Sequence, residues 1–186
     1  MENANCCKWA FGNPIMREYH DNEWGVPVHD DKKHFEFLIL DAFQAGLSWL
    51  TILKKRENFR LAFANFDYYK VAKYTDDDFN KLMADAGIIR NKLKIQATIT
   101  NAQCFIKVIE EFGSFDAFIW SFVNHKPIQN TWDTYKNVPA KTKESDAMSK
   151  ALLKRGFRFV GSTICYAYMQ AAGMVNDHEV NCFRYK

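Results

Sequence analysis

Between Lys32 and Ala45 the apolar residues Phe35, Leu38, Ile39, Ala42 and Phe43 recur at i, i+3, i+4, i+7 and i+8, which predicts a helix stopped by Gly46. Phe37 and Leu40 lie off that stripe, so this helix is apolar nearly all round and belongs at the centre of the molecule. The same spacing predicts a helix from Asp76 to Ala86, with Phe79, Leu82 and Met83 in register and Gly87 after it. The acids Asp76, Asp77 and Asp78 fill its first turn, where the helix dipole favours them. A long helix follows from Asn91 to Phe112, carrying Ile95, Ile99, Ala102, Ile106 and Ile109 on one side. Shorter helices fit Phe115–Val123, Ser145–Arg155 and Ser162–Ala172, the last closed by Gly173. Alternating stretches are few and short, and Val123–Lys143, which holds Pro127 and Pro139, reads as a long loop. No repeat or linker-like tract divides the chain. The expectation is an all-α fold in one unit spanning residues 1–186.

Composition supplies that fold with a core. Of 186 residues 48% are hydrophobic, including 16 Phe, 8 Tyr and 5 Trp, which excludes a disordered or collagen-like chain. Interruptions such as Asp41 and Gln44 keep each apolar run short of the ~18–20 residues that span a membrane. The opening residues carry neither a basic stretch nor an apolar core, so we expect no signal peptide and a cytoplasmic protein. The net charge of +3 is too small to establish a polyanionic partner, so the placement of charge matters more than its sum. Five cysteines in a chain without an export signal point to metal binding or plain burial rather than disulfides.

Three constellations carry candidate chemistry. Cys7 and His20 near one end and His178-x3-Cys182 near the other could together hold a tetrahedral metal ion of structural type, or could be packed side chains with no metal. In Lys154–Thr163 a helix stops at Gly156, a short turn contains Gly161, and a new helix begins near Ser162. That layout is either an ordinary helix connection or a helix–hairpin–helix whose turn amides face an anion. The basic clusters Lys54-Lys55-Arg56, Arg90/Lys92/Lys94 and Lys150/Lys154/Arg155/Arg158 could form a stripe along a nucleic acid backbone, or be solvated faces. Finally, Trp9, Tyr19, Trp24 and Trp49 cluster in sequence around Asp41, a carboxylate in an otherwise apolar helix. They are either core, or a cavity for a flat base read along its edge.

These pieces coincide in one family. The chain resembles the Tag-type 3-methyladenine glycosylases of the helix–hairpin–helix superfamily, through Tyr19–Pro27, Gln44–Trp49, Leu53–Glu57, Ala86–Arg90, Trp120–Asn124, Lys154–Gly161 and Val175–His178. The likeness runs from about Cys7 to Cys182, in order and at family spacing. It implies a hairpin unit at about 150–172 and a structural zinc ion on Cys7, His20, His178 and Cys182, joining the segments 7–20 and 178–182. It implies base recognition by Trp9, Tyr19, Trp24 and Trp49, with Asp41 as the catalytic carboxylate. DNA contacts are implied for Gln44, Gly46 and Leu47 in a minor-groove probe, and for Lys154, Arg158, Gly161, Ser162 and Thr163 at the hairpin. The implied activity is monofunctional hydrolysis of the N-glycosidic bond of 3-methyladenine in double-stranded alkylated DNA. A monomer would leave an abasic site and release free 3-methyladenine. Two departures from a well-known member of that family stand out: it carries Glu where this chain has Asp41, and a polar residue where this chain has Phe43. A weakened DNA-binding relative, or a hydrolase of free modified nucleosides, are the competing expectations.

Overall fold

Residues 6–186 are described by the computed structural model. Among them the chain forms nine α-helices and one pair of two-residue strands. In order these are α1 (Pro14–Asn22), α2 (Asp31–Gln44), α3 (Trp49–Ala62), α4 (Tyr68–Val71), α5 (Asp76–Ala84), α6 (Lys92–Phe112) and α7 (Phe115–Trp120). Strand β1 (Ile128–Gln129), α8 (Lys143–Lys154), α9 (Ser162–Ala171) and β2 (Val175–Asn176) complete the chain. The helix starts are written in the sequence. Asn13, Asp30, Ser48, Asn91 and Ser114 each accept a hydrogen bond from a first-turn amide, and Thr142 forms a capping box with Ser145.

Helix α2 is the axis of the fold, with every residue from His34 to Phe43 buried. It packs against α3, α6, α7 and α9. Phe35 meets Phe105 of α6, which stacks on Phe115 of α7 with ring centroids 3.9 Å apart. Phe43 meets Phe59 of α3 at 4.7 Å. The polar groups of α2 are also put to use. His34 Nδ1 lies 2.6 Å from the Tyr168 hydroxyl and its Nε2 3.0 Å from Asp116, joining α2 to α9 and α7. Glu36 accepts from Arg56 (2.8 Å), Arg60 and Lys33, and Arg56 forks onto Glu23 at 2.6 and 2.7 Å. Burial alone would raise the Glu23 pKa, but the bonds and charge of Arg56 outweigh it and hold the group at about 2.

The expected helices are present, with one difference: Phe115–Val123 is split into α7 and a 3₁₀ turn, Ser121–Val123, closed by left-handed Asn124. Helices α1, α3 and α4 had no counterpart in the periodicity. In α3 the buried stripe reads Ile52, Leu53, Arg56, Phe59, so a paired arginine sits where an apolar residue would have shown the helix. The expected loop 123–143 does contain β1, which pairs in parallel with β2 in the register Ile128↔Val175 and Gln129↔Asn176. Its backbone is strapped to the C-terminal segment again where Val180 N–H donates to Trp132 C=O at 2.9 Å.

After α9 the chain turns at Gly173, whose φ is +67° and whose absent side chain lets Val26 and Pro27 approach. A Cβ there would lie 2.2 Å from the Val26 carbonyl carbon. Gly173→Ala is therefore expected to cost about 3 kcal/mol or more, lowering Tm by about 6–12 °C. Gly113→Ala, at φ +87° with open space around it, bears only the backbone cost of about 1–2 kcal/mol. Thermal unfolding of the two variants checks this, and equal losses would show that the contact with Val26 yields.

Candidate active site

The ends of α1 and α2, the start of α3 and the length of α9 enclose a cavity of about 430 Å³. Trp9, Tyr19, Trp24, Asp41, Gln44 and Trp49 all line it, so the aromatic and acidic residues grouped by the sequence meet at one place. The Trp9 and Trp24 rings meet edge to face at 5.0 Å, and Tyr19 leans on Trp49 at 5.2 Å. Trp9 and Trp49 are half-buried, whereas Tyr19, Trp24 and Asp41 are buried. The result is a slot walled by flat π faces with a carboxyl group in its depth.

Two polar atoms there have no partner among the described residues: Asp41 Oδ2 and Trp49 Nε1, both buried. Burial raises the Asp41 carboxyl well above its ordinary pKa, with no cation nearby to oppose it. A second buried carboxylate, Asp177, shows what a structural acid looks like. Its Oδ1 accepts from Asn130 (2.7 Å) and Trp132 (2.8 Å), and its Oδ2 from Tyr166 (2.7 Å) and Gln170 (2.8 Å). Asp177 is saturated, while Asp41 offers an acceptor to whatever enters. Tyr166 and Gln170 line the cavity, as do Tyr135, Val138 and Pro139 of the segment after β1. Sequence reading passed over these residues. A polar Gln170 within the apolar α9 is the one signal that could have marked that wall.

Behind Trp24 lies the cysteine–histidine cluster. The donor atoms of Cys7, His20 and Cys182 all lie within 4.8 Å of one another, and the ring of His178 is 4.9 Å from that of His20. Both histidines are held at Nδ1. His20 Nδ1 is bound to Asp21 at 2.7 Å and its Nε2 lies 3.4 Å from the Cys182 sulfur, while His178 Nδ1 is bound to Asn176 at 2.8 Å and its ring stands beside the three-residue group rather than within it. His178 Nε2 is buried without a partner, and Gly25 makes room for its ring, since a Cβ there would lie 2.8 Å from Cε1. Burial, and then the neighbouring His20, pull His178 down to about 3, which keeps the imidazole neutral as a ligand must be. The Cys7 and Cys182 sulfurs accept backbone N–H bonds from Glu179 (3.3 Å) and Arg184 (3.4 Å). Cys7, His20 and Cys182 bring together three donors of the kind that suits a borderline-soft cation, and His178 is the neighbour whose chemistry would complete a tetrahedral set.

Between α8 and α9 the chain makes a tight turn pinned from inside. Asn101 binds both backbone groups of Arg158 (2.7 and 3.0 Å), and the Ser149 hydroxyl donates to Val160 C=O at 2.7 Å. Gly161 caps α9 without a side-chain bond, leaving first-turn amides without a side-chain acceptor beside Ser162 and Thr163. Thr163 also lines the cavity, so α9 runs from this turn along the cavity wall to Gln170. Lys154 and Arg158 are exposed. The wider basic stripe is not free: Lys55 donates to the carbonyls of Ala86 and Gly87, Arg56 is buried in its ion pairs, and Lys94 is turned inward. Arg155 lies over the rings of Phe112 and Phe118 and pairs with Glu111 at 2.9 Å. At the end of α2, Gly46 adopts φ +79° and leaves Leu47 40% exposed beside the cavity.

An aromatic slot with an unsatisfied carboxyl, beside a turn with open helix amides, defines a protein that takes a flat, electron-poor ring carried on a polyanion. The sequence profile of the methyladenine glycosylase family matches residues 9–185, and the chain belongs to that family. It is 52% identical to DNA-3-methyladenine glycosylase 1 of Escherichia coli K12 over 179 residues, which cover 96% of each chain. A crystal structure of 3-methyladenine DNA glycosylase I superposes with a TM-score of 0.92 at 48% identity, covering 96% of this chain and 98% of that one. The Staphylococcus aureus enzyme, in a study of how it recognises 3-methyladenine, superposes at 0.94 and 35% identity, covering 97% of this chain and 96% of its own.

The unpaired Asp41 makes a stability prediction. Its folded pKa is raised, so below the unfolded value of about 3.9 it is neutral in both states and adds no pH-dependent cost. Above that pH an unfolded chain ionises while the fold resists, and stability falls until the folded pKa is passed. Asp41→Asn removes this loss and is expected to be the more stable protein by about 0.5–2 kcal/mol at neutral pH. Urea unfolding of both proteins from about pH 4 to about pH 8 reads the gap, which must widen with pH. A constant gap would mean that Asp41 is compensated in the fold.

Proposed function

We propose that this chain is a DNA repair glycosylase that flips 3-methyladenine out of double-stranded alkylated DNA and hydrolyses its glycosidic bond, leaving an abasic site. The observation that carries this reading is the unpartnered Asp41 oxygen facing the aromatic slot. A base methylated at N3 is cationic and carries N–H donors on its edge. It thus brings to Asp41 the partner that the fold withholds, and to the Trp and Tyr faces a cation they attract. Neutral adenine brings no charge, which gives selectivity. In the reaction the C1′–N bond breaks, its electron pair neutralises the departing base, and water adds to C1′ and gives up a proton. The leaving group is already activated, so stacking and the placement of negative charge suffice. No lysine amine is needed at C1′, consistent with a monofunctional enzyme that does not cut the strand.

Supporting roles follow the geometry. The open α9 amides at Gly161, Ser162 and Thr163, with Lys154 and Arg158, hold the phosphate backbone without choosing sequence. Gln44, Gly46 and Leu47 enter the minor groove and occupy the gap left by the flipped nucleotide. Cys7, His20, His178 and Cys182 hold one structural zinc ion, whose contribution is to tie the two ends of the chain together. The enzyme acts as a monomer in the cytoplasm, on nucleoid DNA, with free 3-methyladenine as its product.

Chromatography of bases released from methylated duplex DNA tests the central claim. Asp41→Asn is expected to slow release of 3-methyladenine on the order of a hundredfold, while Asp41→Glu restores the chemistry with a longer reach. Wild-type release by the Asn variant would reduce the carboxylate to a structural group. Release from free nucleoside but not from duplex would replace the reading by a nucleoside hydrolase. Elemental analysis of protein purified without added metal should find one zinc per chain, lost in Cys182→Ser together with thermal stability. A metal-free protein of unchanged stability would remove the ion from the account.

A further inference from the structure

Lys94 is one of two buried Lys or Arg side chains among the described residues, at 7% exposed, and unlike Arg56 it has no carboxylate partner among them. Its ammonium instead donates to two backbone carbonyls at the far end of α2, Phe43 C=O at 2.7 Å and Ala45 C=O at 2.6 Å. These carbonyls flank Gln44, the last residue of α2, and the chain then turns through left-handed Gly46 to the exposed Leu47. A helix C-terminus leaves its last carbonyls unpaired and carries a partial negative charge, so a cation is the group that satisfies both. The α2 end has no basic residue of its own in its last turn, and Ala45 at the C-cap makes no closing backbone bond there.

The lysine is itself held rigidly. Its N–H is the amide that Asn91 caps at 3.1 Å, and its C=O accepts from Thr98 at 2.9 Å, so the clamp issues from the anchored first turn of α6. Burying an ammonium is costly, and desolvation lowers its pKa here. A methionine would fill the space without that cost but could not bind carbonyls. What the charge secures is the shape of residues 43–47, a turn that carries a cavity residue, Gln44, and an exposed apolar tip, Leu47, together.

We infer that Lys94 is a positioning residue that stiffens the turn Gln44–Leu47 so that it can be driven into a stacked duplex, and that it takes no part in holding the base. The inference rests on the glycosylase reading above and adds to it the device that keeps the probing turn in shape. A wedge that separates stacked bases must not itself give way. Asp41, three residues before Gln44, is fixed by the hydrogen bonds of α2 and does not depend on the clamp.

The experiment compares Lys94→Met with wild type on methylated duplex DNA, methylated single strands and free 3-methyladenine. Release from duplex is expected to fall about ten- to hundredfold, release from single strands much less, and free-base affinity to stay within about twofold. Lys94→Arg, which can donate to both carbonyls, should recover most of the duplex activity. Leu47→Ala alone should slow the duplex reaction, and its loss should not add to that of Lys94→Met, since both act through one turn. Parallel losses on duplex, single strand and free base, or losses that multiply with Leu47→Ala, would overturn the inference. Lys94→Gln, a neutral donor of similar length, repeats the series should the Met variant not fold. If wild type releases nothing from duplex, it is the glycosylase reading that fails, not the role of the clamp.

Discussion

Everything in this fold is arranged around a helix that has no solvent face. Because α2 is buried from His34 to Phe43, each polar group it carries must be answered by another element, and the answers build the structure. His34 brings in α7 and α9 through Asp116 and Tyr168. Glu36 draws in α3 through Arg56 and Arg60, and Arg56 in turn fixes Glu23 at the end of α1. The carbonyls at its end draw in α6 through Lys94. Asp41 is left unanswered at Oδ2. That asymmetry separates function from structure: three demands of one helix, those of His34, Glu36 and its terminal carbonyls, are met within the chain, and the fourth belongs to a residue that lines a cavity.

The cavity has an inner and an outer half, and they are held differently. Asp41, Trp49 and Tyr19 belong to helices fixed by the buried ion pairs of α1, α2 and α3. The outer wall, Tyr135 to Pro139, has only the single 3₁₀ turn Tyr135–Asn137 and is secured to the C-terminal segment. Tyr135 N–H donates to Glu179 at 2.9 Å, and Glu179 N–H donates to the sulfur of Cys7 at 3.3 Å. The pocket rim is therefore two hydrogen bonds from the cysteine–histidine cluster, and Asp177 links the same segment to Tyr166 and Gln170. The link from the chain ends to the mouth of the cavity thus runs through hydrogen bonds from backbone amides to the Glu179 carboxylate and the Cys7 sulfur.

How legible this was in the sequence follows from the same distinction. A carboxylate interrupting an apolar helix is a visible contradiction, and Asp41 could be marked from its neighbours alone. The caps at Asn13 and Ser48 are just as local, yet apolar periodicity does not register them, and α1 and α3 went unpredicted. Arg56 worked in the opposite sense: its charge is neutralised by Glu23 and Glu36, far away in sequence, so α3 was hidden by the residue that anchors it. The outer wall was invisible because its order comes from parallel pairing with residues some fifty positions on, and a two-residue strand has no period to detect. Lys94 counted as a surface charge for a similar reason, since nothing in its own helix announces two carbonyls from α2.

The two departures expected at positions 41 and 43 separate cleanly on α2. Phe43 follows Asp41 by two positions, which on a helix turns it to the opposite side. There it is buried against Phe59 and Phe63 and does not line the cavity. Its exchange for a polar residue is thus a matter of core packing between α2 and α3, coupled to the phenylalanines it meets. Asp41 is the departure that reaches the cavity. A carboxyl group shortened by one methylene sits about one bond length nearer its own helix, and Trp49, whose indole N–H is likewise buried without a partner among the described residues, lines the same cavity. The exchange on one side of α2 therefore alters packing, and the exchange on the other alters what the cavity wall can reach.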